Sequence, residues 1–140
     1  MTEQTLAIVK PDAMKARAAG KILDMILEAG FGLSAVRLVH LTREQAEGFY
    51  QVHRERPFFP SLTAFMTEGP VLVMVLEAEN AIARWRDLMG PTNPAEASEG
   101  TIRKRFGAGI ARNAVHGSDA PETARFEIAY FFSELDRVRR

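Results

Sequence analysis

Residues 113–119, Asn-Ala-Val-His-Gly-Ser-Asp, contain one of only three histidines in the chain. An imidazole is the side chain best suited to act as nucleophile or base near neutral pH. A solitary loop histidine is most often simply solvated, so the neighbours of His116 must distinguish it. Gly117 permits a backbone conformation or a close approach that a side chain would block. Ser118 or Asp119 can cap a helix, with Glu122 three residues after Asp119. A helix N-terminus beside an imidazole offers free N–H groups and a positive dipole end to an anion such as phosphate. The segment reads as a loop ending in a helix cap, with His116 at its mouth.

Glu127 is the single charge inside the apolar run Phe126–Phe132. A buried carboxylate without a partner is costly. Either it reaches water at an edge or it meets a donor, and histidine is the obvious one. A carboxylate on one ring nitrogen fixes the tautomer and frees the other nitrogen to attack. Cations lie at element ends: Lys10 before Pro11, Arg86 shortly before Met89-Gly90, and Arg103 in GTIRKRFG. Each alone reads as a solvated charge. Together they suit a polyphosphate, because guanidinium binds oxygens bidentately. Phe58 and Phe59 are adjacent, so both do not easily enter a core. One is free to stack on a flat ligand or to join a satellite cluster. No Walker glycine loop and no protein-kinase glycine loop is present, so any nucleotide chemistry needs another phosphate cradle.

The elements that must position these groups come from a chain of 140 residues with 18 basic and 18 acidic side chains and no cysteine. The length implies one domain spanning residues 1–140, large enough to fold without metal or disulfide. Neutral net charge gives no drive toward nucleic acid or membranes. The absence of cysteine excludes thiol catalysis and zinc–thiolate sites and fits a reducing, cytoplasmic setting. The longest strongly apolar run, Val71–Leu76, is far too short to cross a bilayer, and no targeting segment is evident.

Thr5–Val9 reads as a buried strand stopped by Lys10-Pro11. Lys21–Ala29 has helical apolar spacing, with Gly30 ending it. Phe31–Leu41 reads as a strand. Thr42 and Gln45 form a capping box that opens a helix to about Glu55. Ser61–Met66 is a short helix, Val71–Glu77 a strand, and Asn80 caps a helix through Met89. Thr92–Gly109 mixes helical turns and loops, and Phe126–Phe132 is the last strand. This β-α-β-α-β-α-β order suits an α/β (α+β) sandwich with helices against a four-stranded antiparallel sheet, ferredoxin-like, with added short helices and a loop insertion. Periodicity alone leaves a small parallel sheet open.

NAVHGSD stands in order with IVKPD, FYQVHRERPFF, GPVLVMVLE, LMGPTNPAEA and GTIR. From about Thr5 to Phe132 the chain resembles nucleoside diphosphate kinase. The resemblance implies the ferredoxin-like fold and a ping-pong kinase. A nucleoside triphosphate gives its γ-phosphoryl group to a histidine, and a diphosphate takes it. It implies His116 as nucleophile, Glu127 orienting it and Ser118 supporting Glu127, with Tyr50 beside the histidine. Lys10 and Asn113 would bind the ribose and its 3′-hydroxyl, with Lys10 also touching the transferring phosphate. His53, Arg86, Thr92 and Arg103 would hold phosphates, and Phe58 and Ile110 would flank the base. Mg²⁺ would ride on the nucleotide phosphates, with no direct protein ligand and Asp119 reaching it through water.

Three positions depart from the pattern of this family. Glu99 stands for a frequent proline, Lys104-Arg105 for a small residue and an acid, and Glu68 for a serine. They bear on assembly, where a homo-oligomer is expected and a tetramer preferred over a hexamer or dimer. Two rivals from other classes are a non-catalytic nucleotide- or nucleic-acid-binding module, using Arg103-Lys104-Arg105, and a phosphorelay protein. The joint presence of His116, Glu127 and the cations weighs against the first, and the strand content against the second.

Overall fold

A computed structural model describes residues 2–138. Its strands are β1 (Thr2–Val9), β2 (Gly32–Val39), β3 (Val71–Glu79) and β4 (Val115–Gly117). Its helices are α1 (Pro11–Lys15), α2 (Ala19–Glu28), α3 (Arg43–Phe49), α4 (Phe59–Met66), α5 (Ala81–Met89), α6 (Ile102–Phe106) and α7 (Pro121–Phe131). The sheet order is β2-β3-β1-β4, and every neighbouring pair is antiparallel. Both crossovers, β1 to β2 and β3 to β4, skip one strand and carry helices. This is the ferredoxin-like α+β arrangement.

Apolar side chains alternate across the sheet, so both faces are buried. Leu6, Ile8, Val71, Val73 and Val75 meet Ala46, Phe49, Phe65, Ile128 and Phe131 of α3, α4 and α7. Ala7, Val9, Met74 and Leu76 meet Ile22, Ile26, Trp85, Met89 and Ile102 of α2, α5 and α6. The expected capping box is formed: Thr42 Oγ1 accepts from Gln45 N–H at 3.1 Å and Gln45 Oε1 from Thr42 N–H at 2.9 Å. That helix ends at Phe49, earlier than expected, and a 3₁₀ turn follows at Gln51–His53.

Three expectations need correction. Residues 126–132 are not a strand: Phe126–Phe131 belong to α7, and the fourth strand is the three-residue β4 inside NAVHGSD. The apolar run misled because Ala124, Ile128 and Phe131 are buried at helical spacing, while Phe126 and Tyr130 are partly exposed on the far side. Asn80 does not cap α5 with its side chain; it adopts φ +52°, and Glu3 Oε1 accepts the Ile82 N–H at 2.9 Å instead. Neither Ser118 nor Asp119 is the N-cap of α7. That position is Ala120, whose N–H is bound by Thr123 Oγ1 at 3.0 Å.

Candidate active site

β4 is an edge strand, and its alternation decides where His116 points. Val115 packs among the α2, α5 and α6 side chains. A Cβ on Gly117 would lie 2.6 Å from Trp85 Cδ1, so only glycine admits this approach. The Trp85 indole N–H also donates to the His116 carbonyl at 3.1 Å. His116 therefore faces the opposite side of the sheet. There its ring meets Phe49 and Tyr50 edge-on, at centroid distances of 5.4 and 6.1 Å.

On that face α7 delivers Glu127. Its Oε1 lies 2.8 Å from His116 Nε2 and accepts the Ser118 hydroxyl at 2.9 Å. The Ser118 oxygen in turn accepts the Leu6 N–H at 3.2 Å. A carboxylate partner makes Nε2 the protonated ring nitrogen, so Nδ1 keeps the lone pair. Burial first, and the Glu127 carboxylate second, hold the Tyr50 phenol protonated well above its usual range. The Tyr50 hydroxyl is buried without a hydrogen-bond partner.

His116 lines a cleft of about 420 Å³. Lys10, Tyr50, His53, Phe58, Arg86, Thr92, Arg103, Ile110, Asn113 and Asp119 line it too. Every site residue read from the sequence is thus in this cleft, except Glu127 and Ser118, which stand behind the histidine. Phe58 and Ile110 are exposed at 47% and 64%. Ser61, Leu62 and Ala111 also line the cleft; nothing in their type or spacing marked them.

Lys10 and Asn113 form one unit. Lys10 Nζ donates to Asn113 Oδ1 at 2.9 Å, and the Asn113 amide donates to the carbonyls of Thr92 and Ile110 at 3.1 and 3.0 Å. Burial, and then the Arg103 charge, push the Lys10 ammonium down to about 8, with Asp12 opposing. Arg103 donates to the carbonyls of Gly90, Val115 and Asn113 at 2.9, 2.8 and 3.3 Å. It fastens the end of α5 to β4 and retains two N–H groups for a ligand. Arg86, at the mouth, pairs with Asp119 at 2.8 Å. Phosphate oxygens are the complement of such a group of cations.

The three departures lie outside the cleft lining. Glu68 accepts both terminal nitrogens of Arg112, at 3.2 and 2.8 Å. Glu99 and Lys104-Arg105 are exposed, with the Arg105 guanidinium 5.0 Å from the Phe106 ring centre.

The sequence model of the nucleoside diphosphate kinase family matches residues 3–136. Nucleoside diphosphate kinase of Nitratidesulfovibrio vulgaris is 58% identical over 138 residues, covering 99% of each chain. The chain belongs to the nucleoside diphosphate kinase family. Its relative from Geotalea uraniireducens is 59% identical over 136 residues, covering 97% of this chain and 99% of that one. The Aquifex aeolicus nucleoside diphosphate kinase structure superposes with a TM-score of 0.97 at 49% identity, covering 99% of this chain and 100% of that chain. The Halobacterium salinarum enzyme in complex with CDP gives 0.95 at 34% identity, covering 100% of this chain and 93% of that chain. The chain is a nucleotide-binding phosphotransferase that moves γ-phosphoryl groups from nucleoside triphosphates to diphosphates by the ping-pong route general to nucleoside diphosphate kinases. Among the described residues no helix is long and apolar enough to cross a membrane.

Proposed function

We propose that His116 Nδ1 is the atom phosphorylated in this nucleoside diphosphate kinase. The observation that carries the reading is the 2.8 Å contact between His116 Nε2 and Glu127 Oε1, which commits the other ring nitrogen to attack. Nδ1 forms a bond to the γ-phosphorus while the bond to the β–γ bridging oxygen breaks. The nucleoside diphosphate leaves with that electron pair. The ring becomes positive, and Glu127 stabilises it through the Nε2–H it already accepts. Ser118 keeps Oε1 in place. A terminal oxygen of a second diphosphate then attacks the phosphohistidine and returns the ring to its starting state.

Lys10, Arg86, Arg103, Thr92 and His53 neutralise and orient the phosphates, which is most of what phosphoryl transfer requires. Both amide hydrogens of Asn113 are engaged, so its Oδ1 accepts from the ribose 3′-hydroxyl while Lys10 Nζ donates to it. Phe58 and Ile110 flank the base without reading its edges. Tyr50 lends its unpartnered hydroxyl beside His116. Among the described residues no group of three or more acidic or histidine side chains is placed to hold a metal. Asp119, the exposed carboxylate at the mouth, suits contact through water to Mg²⁺ carried on the phosphates. When bound, that ion supplies charge neutralisation at the transferring group. We further read residues 1–140 as a single cytoplasmic kinase domain working as a homo-oligomer, with a tetramer preferred. Incubation with γ-labelled ATP tests the site assignment. Acid-labile label discharged by added diphosphate is expected on wild type and absent from His116→Ala; label persisting in that variant overturns it.

A further inference from the structure

Asp12 has no part in the reaction above, yet its carboxylate reaches the segment that carries the site. Val115 N–H donates to the Asn113 carbonyl at 2.9 Å, closing a three-residue turn. Ala114 at its centre has φ +74° and is fully buried. A γ-turn with a positive central φ is the strained form, and alanine has no freedom from that strain. The turn joins Asn113 to the strand bearing His116, so any relaxation displaces both. Two hydrogen bonds hold Ala114. Its carbonyl accepts the Lys10 N–H at 2.8 Å, an extension of the β1–β4 ladder. Its N–H donates to Asp12 Oδ2 at 3.1 Å, across 102 residues of sequence. Asp12 Oδ1 is buried with no partner. An acid serving only the first turn of α1 has no need to be buried in this way.

We propose that Asp12 is a positioning residue that holds the strained turn 113–115, and thereby the nucleotide contact of Asn113 and the nucleophile His116, in register. This rests on the reading of His116 and Asn113 given above. Single-turnover phosphorylation by γ-labelled ATP, scaled to folded protein, tests it. Wild-type labelling lost in His116→Ala establishes the reading of His116; without it, that reading fails whatever Asp12 does. Asp12→Ala is expected to slow maximal labelling at least tenfold, equivalent to about 1.4 kcal/mol. Asp12→Asn keeps an acceptor oxygen but no charge and is expected to stay within about threefold of wild type, about 0.65 kcal/mol. Ala114→Gly placed in Asp12→Ala should recover most of the loss, because glycine adopts positive φ without strain. Three results overturn the proposal: a wild-type rate in Asp12→Ala, an Asn variant as slow as the Ala variant, or no recovery with glycine. The second would assign Asp12 an electrostatic role toward Lys10 instead. If Asp12→Ala does not fold, the double variant decides: folded and rapidly labelled it supports the proposal, unfolded or slow it overturns it.

Discussion

Replacing Glu127 by glutamine removes one negative charge and little else. Glutamine has nearly the same size and keeps an oxygen that can accept the His116 Nε2–H. The 2.8 Å separation gives the scale of the loss. A full charge on the ring would interact with the carboxylate by about 6 kcal/mol at an effective dielectric constant near 20. The ring carries only part of that charge in a loose transition state, and the carboxylate spreads its charge over two oxygens. About 2–3 kcal/mol of transition-state stabilisation should therefore go, a drop of roughly 30- to 150-fold. The phosphate and base contacts proposed for Lys10, Arg86, Arg103 and Phe58 are left alone by the change. Single-turnover phosphorylation across an ATP series separates the maximal rate from the half-saturating concentration. The maximal rate should fall and half-saturation should stay. A wild-type maximal rate, or a defect seen only in half-saturation, would refute the reasoning.

Lys10 has a folded pKa of about 8 against an ordinary 10.5. Between those values the unfolded chain holds more protons, so the stability cost of Lys10 is full below pH 8 and is relieved as pH rises toward 10.5. Lys10→Met should therefore stabilise the fold most below pH 8; an increment that does not shrink at higher pH contradicts this. In wild type, kcat/KM should decline as pH rises through about 8, and a flat profile there would remove the Lys10 charge from substrate capture. Glu99 is the second residue of a turn closed by Thr101 N–H to Ser98 O at 3.2 Å, with Gly100 following at φ +90°. Proline is favoured at that position. Glu99→Pro should stabilise by about 0.4–1 kcal/mol and raise Tm by roughly 1–4 °C at constant rate per chain; an unchanged or lower Tm means the turn rejects proline. Because Phe58 offers only a ring face, diphosphates differing in base should stay within about 100-fold in kcat/KM, near 2.7 kcal/mol, and a larger preference would require edge contacts.

The first three strands were legible because each is an apolar run bounded by proline, glycine or a cap, and the Thr42–Gln45 box announced its helix outright. β4 was not legible. Three residues carry no periodicity, and what makes Val115–Gly117 a strand is the complementary edge of β1. The segment Phe126–Phe132 failed for the opposite reason: too many apolar residues satisfy both periods, and the helical signal lay upstream in Pro121 and Glu122. For Glu127 the residues left water or a donor open, and the resemblance paired it with His116; the cost of burying a carboxylate, which holds on a helix as on a strand, is met by that contact. The cations and Phe58 could be nominated singly, but their convergence is made by two crossovers that no spacing records. The contact between Asp12 and Ala114 left no trace in the sequence at all.

β1 is the first element of the chain, and it sits between β3 and β4, pairing Thr5 with Leu76 and Ile8 with His116. During synthesis the N-terminal segments emerge first. Lys10, Phe58 and Arg86 thus leave the ribosome well before the strand that carries His116, and Glu127 follows later still. Ordering by translation therefore puts every cation that lines the cleft ahead of the histidine–carboxylate pair.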